Sequence, residues 1–125
     1  VDMRNTDESV LQQAEDRLAA FLDELSRREG VAIEARRLAR FEPVQFDDGI
    51  AHLIEGHAAR LGLPCRRMTS GAGHDAQMLA RICPTAMIFV PSIGGISHNP
   101  AEDTRPEDLA AGAEVLLHSL LELAR

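Results

Sequence analysis

Tryptophan and tyrosine are absent from the chain, and phenylalanine occurs four times in 125 residues. An array of aromatic rings on which bases stack is therefore excluded. Positive charge is in short supply as well. The net charge of −7 argues against a phosphate backbone as partner. No apolar run approaches the roughly 20 residues of a membrane-spanning helix, and no secretory leader pattern is present. The expectation is a cytoplasmic chain with neither nucleic acid nor membrane as partner. Cysteine is sparse: Cys65 and Cys83 follow neither a disulfide framework nor a zinc-pair spacing, and two semi-buried thiols in a reducing compartment are expected. An initiator methionine is also missing. The chain opens Val1-Asp-Met-Arg-Asn5 with strand-like alternation, so a piece of a longer protein is expected.

What is present is a normal apolar content, 45%, enough for one ordinary domain to bury a core. Residues 1–4 read as the end of a strand. Thr6 or Asp7 caps a long helix running to Arg28, with Leu11, Ala14, Leu18, Phe21, Leu22 and Leu25 as its apolar stripe and Gly30 as its stop. Residues 31–44 alternate in part and carry Arg36, Arg37 and Arg40, as an edge strand does. The segment 42–49 changes regime and marks a unit boundary. Asp47 or Asp48 caps a second helix to about Leu61, which Gly62 and Pro64 end. A short helix over 74–82 follows a glycine loop. Residues 86–90 are a continuous apolar run, the pattern of a strand buried on both faces. Thr104-Arg-Pro-Glu107 fits a capping box before a terminal helix with Leu109, Ala113, Leu116, Leu117, Leu120 and Ala124 on one face. The fold class is α/β.

Two loops flank the apolar run, Ser70-Gly-Ala-Gly-His-Asp-Ala76 and Gly94-Gly-Ile-Ser-His-Asn-Pro-Ala-Glu102, and each holds a histidine. This is how an α/β scaffold presents a ligand site. Gly71 and Gly73 let a backbone turn sharply and approach a ligand, and N–H groups at a helix start favour an anionic or carbonyl oxygen. The alternative is an ordinary glycine turn. His98 either ligates a metal, acts as acid or base, or makes only loop hydrogen bonds. Glu102, four residues on, is placed to orient a neighbouring histidine or backbone. Arg4 suits a carboxylate ligand, but spacing alone favours a solvated strand-end arginine. His52, His57 and His118 are expected to be structural or solvated, with His118 on the polar side of its helix. Ser70 and Ser97 lack the partners of a catalytic triad. Composition and spacing stop at an α/β protein with a ligand site at two loops.

Ser70-Gly-Ala-Gly-His-Asp-Ala-Gln77, Pro84-Thr-Ala-Met-Ile-Phe-Val-Pro-Ser92 and Gly95-Ile-Ser-His-Asn-Pro-Ala-Glu102, in this order and spacing, resemble the C-terminal part of the hydantoinase/carbamoylase family of binuclear metal amidohydrolases, within the wider M20 clan. Val1-Asp-Met-Arg4 resembles that family's strand ending in an arginine. The resemblance covers essentially the whole chain and about the last third of a family protein. It implies two domains. Residues 1–45 would be the C-terminal β-α-β part of a lid and dimerisation domain, and residues 46–125 the C-terminal part of the catalytic, metal-binding domain. It implies hydrolysis of the C–N bond in allantoate or an N-carbamoyl-L-amino acid, two divalent ions (Zn²⁺ or Mn²⁺), and a homodimer formed through the lid. By motif, His98 would be a metal ligand, Arg4 would bind the substrate carboxylate, and Gly73 and His74 would contact substrate. The family's other metal ligands and its glutamate general base lie upstream of the matched region, so no catalytic base is assigned in this chain, and the chain alone is expected to be inactive. An M20 aminoacylase or peptidase, or a non-catalytic dimerisation or binding module, are the rival readings.

Overall fold

A computed structural model describes residues 1–125. The chain is helical: α1 (Glu8–Glu29), α2 (Asp48–Arg60), a single turn α3 (Ala76–Leu79) and α4 (Pro106–Leu123), with a 3-10 turn at Ile93–Gly95. It divides into two compact units, Val1–Gln45 and Phe46–Arg125. No helix is long and apolar enough to cross a membrane.

The three stretches expected as strands, 1–4, 31–44 and 86–90, form no ladder. A strand is stabilised by pairing its N–H and C=O groups with a neighbour. Within the first unit, the segment after α1 is held instead by side chains. Arg40 reaches Glu8 at 2.5 Å and Glu15 at 3.1 Å, and Arg37 reaches Glu15 at 3.5 Å. The arginines expected to decorate a solvated strand edge thus tie the segment to α1, and Arg40 is largely buried. The Arg40 guanidinium holds the Glu8 carboxyl below the usual carboxylate range.

The ends of α1 follow from local chemistry. Asp7 Oδ1 accepts the N–H groups of Ser9 at 2.8 Å and Val10 at 3.2 Å, two donors that an α-helix leaves without partners. At the other end Gly30 takes a left-handed φ of 64° and its N–H bonds the Ser26 carbonyl, a conformation glycine adopts without a Cβ penalty. Leu11 is the buried residue of the expected stripe, whereas Phe21 stays half exposed.

In the second unit, α2 packs on α4. Small side chains line the seam. Ala58 is 3% exposed, Val115 5% and Ser119 3%, with the Ser119 hydroxyl returned to the Val115 carbonyl at 2.8 Å. The buried face of α4 is therefore built on Val115 and Ser119, while Leu109, Leu116, Leu117 and Leu120 of the expected stripe are about half exposed. The expected capping box before α4 does not form. Arg105 occupies the cap position without a side-chain cap bond, and Pro106 starts the helix with its pre-set φ and no N–H to satisfy. α2 starts as expected, with Asp47 Oδ1 accepting the Ile50 N–H at 2.8 Å. The Asp47 N–H also bonds the Thr85 carbonyl at 2.8 Å, which fixes the start of the apolar run beside α2. Its end lies on α4. A Cβ built on Gly112 would stand 2.4 Å from Val90 Cγ1, so only glycine admits this approach.

Candidate functional site

The first loop is organised by hydrogen bonds of Ser70 and Gln77. Ser70 Oγ lies 3.0 Å from His74 Nε2 and accepts the Ala72 N–H at 3.3 Å. The His74 N–H donates to Gln77 Oε1 at 3.2 Å. The His74 ring meets the edge of Phe89 from the apolar run, with centroids 5.5 Å apart and planes at 62°. Loop and run are thereby joined through His74, which is half-buried.

The chain bends at Ala72, between Gly71 and Gly73, with neither glycine in left-handed backbone. Gly73 keeps an open flank, where an added Cβ would meet nothing nearer than Gln77 Oε1 at 3.6 Å. The helix that follows is one turn rather than 74–82, and the His74 N–H is taken by Gln77.

The second loop carries the left-handed backbone instead. Gly94 and Gly95 have φ of 67° and 68°, and His98 has φ of 55°, which is uncommon for a residue with a Cβ. Glu102 Oε2 accepts the His98 N–H at 2.7 Å. Asn99 closes the turn, its side chain taking the Ala101 N–H at 2.9 Å and its carbonyl the Glu102 N–H at 2.9 Å. Glu102 therefore acts on the His98 backbone. The His98 side chain is exposed, as is the loop around it. No three His, Cys, Asp or Glu side chains converge on a metal position. His98 offers one donor, so the residues present do not by themselves fit a metal ion.

Arg4 lies in the first unit. Its Nη2 and Asp2 Oδ2 stand 2.5 Å apart, and its Nε is 3.1 Å from both Asp2 oxygens. The arginine hydrogen bond holds the Asp2 carboxyl below its usual range.

Away from the two loops, the second unit holds a cluster that the spacing of its members did not reveal. His57 is 5% exposed and stacks on His118 of α4, with centroids 5.7 Å apart and planes at 21°. Arg60 Nη2 stands 2.5 Å from His57 Nδ1, and Glu122 Oε2 lies 3.2 Å from His57 Nε2. His118 itself stays exposed, as a solvated histidine was expected to. The signal for His57 was its place on the apolar face with Leu53, Ile54 and Leu61. Cys65 and Cys83 are both exposed free thiols, contrary to the semi-buried expectation. Arg67, in the extended piece before the first loop, clamps Asp48 and Glu55 on α2, which pull its pKa above the ordinary arginine value.

Residues 5–122 match the profile of peptidase family M20/M25/M40. The chain is 41% identical over 124 residues to an N-carbamoyl-L-amino-acid amidohydrolase of Rhizobium meliloti, covering 99% of this chain and 30% of that protein. It is 42% identical over 128 residues to the allantoate amidohydrolase of Escherichia coli (strain K12), with the same coverage of each. The crystal structure of a hydantoinase/carbamoylase family amidase from Burkholderia multivorans superposes with a TM-score of 0.88 at 40% identity, over 95% of this chain and 29% of that one. The chain spans about 30% of the length of the curated relatives it matches.

Proposed function

The chain belongs to peptidase family M20/M25/M40, and on that premise we propose that the protein carrying it is an amidohydrolase cleaving the C–N bond of a ureido or N-carbamoyl amino acid. The observation that supports this reading is identity of 41 and 42% to an N-carbamoyl-L-amino-acid amidohydrolase and an allantoate amidohydrolase across 99% of the chain. In this reading, Phe46–Arg125 belongs to the catalytic domain and Val1–Gln45 to a lid that also forms a homodimer, in an α/β protein of the cytoplasm. Arg4 binds the substrate carboxylate. Gly73 offers backbone on its open flank, and His74 a ring nitrogen, to the ureido or carbamoyl group. His98 supplies one ligand to a centre of two divalent ions, Zn²⁺ or Mn²⁺, whose other donors come from outside these 125 residues.

A panel of allantoate, N-carbamoyl-L-amino acids, N-acetyl amino acids and dipeptides, offered to the protein carrying this chain with Mn²⁺ or Zn²⁺, tests the substrate class. Ammonia release from the first two groups is the expected result. Cleavage of N-acetyl amino acids or dipeptides alone would favour the aminoacylase or peptidase reading, which the family's peptidase designation keeps in play. In the same protein Arg4→Ala raises KM with kcat little changed, and an unchanged KM removes Arg4 from the site. Val1–Arg125 by itself stays inactive with either metal, because one imidazole does not hold two ions; turnover by the chain alone would refute the two-metal assignment of His98.

A further inference from the structure

The hydroxyl of Ser70 has a defined geometry and no part in the function proposed above. Its oxygen accepts the Ala72 N–H at 3.3 Å. Its single proton has two acceptors within reach, the Ala72 carbonyl at 3.4 Å and His74 Nε2 at 3.0 Å. The nitrogen is much the nearer, and an unprotonated imidazole nitrogen is a good acceptor for a hydroxyl. The rest of His74 is held as well: its N–H by Gln77 Oε1, and its ring by the edge of Phe89. The Nδ1 atom makes no hydrogen bond within the chain. Which ring nitrogen of a neutral histidine carries the proton is decided by the hydrogen bond the other makes.

We propose that Ser70 is a positioning residue that donates its hydroxyl proton to His74 Nε2 and so fixes the imidazole as the Nδ1–H tautomer, with Nδ1–H presented as a donor to an oxygen of the substrate. The tautomer rests on the geometry alone, and its use in binding rests on the reading of His74 as a substrate residue. The donor matches the class of ligand proposed, since carboxylate and carbamoyl oxygens are acceptors. Without the serine hydroxyl, nothing in the loop holds Nε2 unprotonated, and the ring presents donor and acceptor interchangeably.

The test reads the tautomer directly. Long-range ¹H–¹⁵N correlation spectra of the protein carrying the chain, ¹⁵N-labelled at histidine and recorded in alkaline buffer where imidazoles are neutral, distinguish a protonated from an unprotonated ring nitrogen. The expected pattern for His74 is protonated Nδ1 and unprotonated Nε2, kept in Ser70→Thr and averaged or inverted in Ser70→Ala. A protonated Nε2 in the native chain, or a pattern unmoved by Ser70→Ala, would overturn the proposal. Kinetics on the protein carrying the chain separate it from the reading of His74. Ser70→Ala raises KM for the ureido substrate roughly fivefold, the loss of about one hydrogen bond, with kcat little changed and Ser70→Thr restoring it. If His74→Ala raises KM and Ser70→Ala does not, the positioning role fails. If His74→Ala leaves KM unchanged while the spectra show the predicted tautomer, the substrate role of His74 fails and the tautomer assignment stands.

Discussion

Among single residues, His98 combines a left-handed backbone with an exposed side chain. A left-handed φ at a non-glycine residue costs free energy of order 1 kcal/mol and persists where its surroundings over-determine it. The carboxylate of Glu102 supplies much of that determination by accepting the His98 N–H at 2.7 Å. Removing it in Glu102→Ala is expected to speed hydrogen exchange of the His98 amide by about tenfold or more, while exchange in α4 is unchanged. Equal rates would mean that Asn99 and the glycines hold the turn unaided. Some of this was visible in the bare sequence, where the spacing of Glu102 from His98 pointed to an orienting role. The spacing left histidine ring and backbone open, and the carboxylate takes the backbone N–H. The chain bends at Ala72 between Gly71 and Gly73 as expected, while of the two glycine loops it is the one at Gly94 and Gly95 that carries left-handed backbone. Glycine permits that conformation without requiring it, so its position marks only where a turn is allowed.

At the scale of elements, what is local was legible and what is relational was not. The start of α1 at Asp7 and its end at Gly30 follow from side chains and backbone within one turn. The strands failed because a ladder is a relation between segments, and apolar alternation in residues 31–44 cannot say whether a neighbour is there. The capping box at Thr104 failed locally, since Pro106 opens α4 one residue after Arg105 and moves the cap position off the threonine. The caps also carry a pH dependence. The Ser9 hydroxyl and the N–H groups of Val10 and Ser9 hold the Asp7 carboxyl below its usual range, and Arg40 does the same to Glu8. Both groups bind a proton more weakly in the fold than in the unfolded chain. Their stabilisation is therefore complete above the unfolded values near about pH 4 and is lost as the pH falls through the lowered folded values. Circular dichroism is expected to show the chain losing helix on acidification through this range. Asp7→Ala should have less helix at neutral pH and a shallower acid loss; an identical acid titration would show that the cap contributes nothing to α1.

At the scale of the whole molecule, few apolar residues are buried. Leu11, Ala58 and Val115 are its buried apolar residues, while Phe21, Phe41, Ile82 and Leu120 are more than half exposed. Periodicity identified the apolar faces of α1 and α4 but not which residues of each face the chain itself covers. Fluorescence of a hydrophobic dye such as ANS is expected to rise on mixing with the native chain at neutral pH, and unfolding is expected to show a small heat-capacity increment for this length. A silent dye and an increment of ordinary size would mean that the exposed apolar area is covered in solution. A different consequence follows from the contact of Gly112 with Val90. The two positions share one fixed volume, so the order in which they change decides which sequences can be reached. Gly112→Ala made first gains about 1 kcal/mol of helix propensity but collides with a stiff β-branched side chain, a net loss on the order of 1–2 kcal/mol. Made after Val90→Ala, the same change fills the space just vacated and is stabilising. Such a pair is a one-way gate in sequence space: descent through the smaller residue at 90 is open, and descent through the larger residue at 112 is closed.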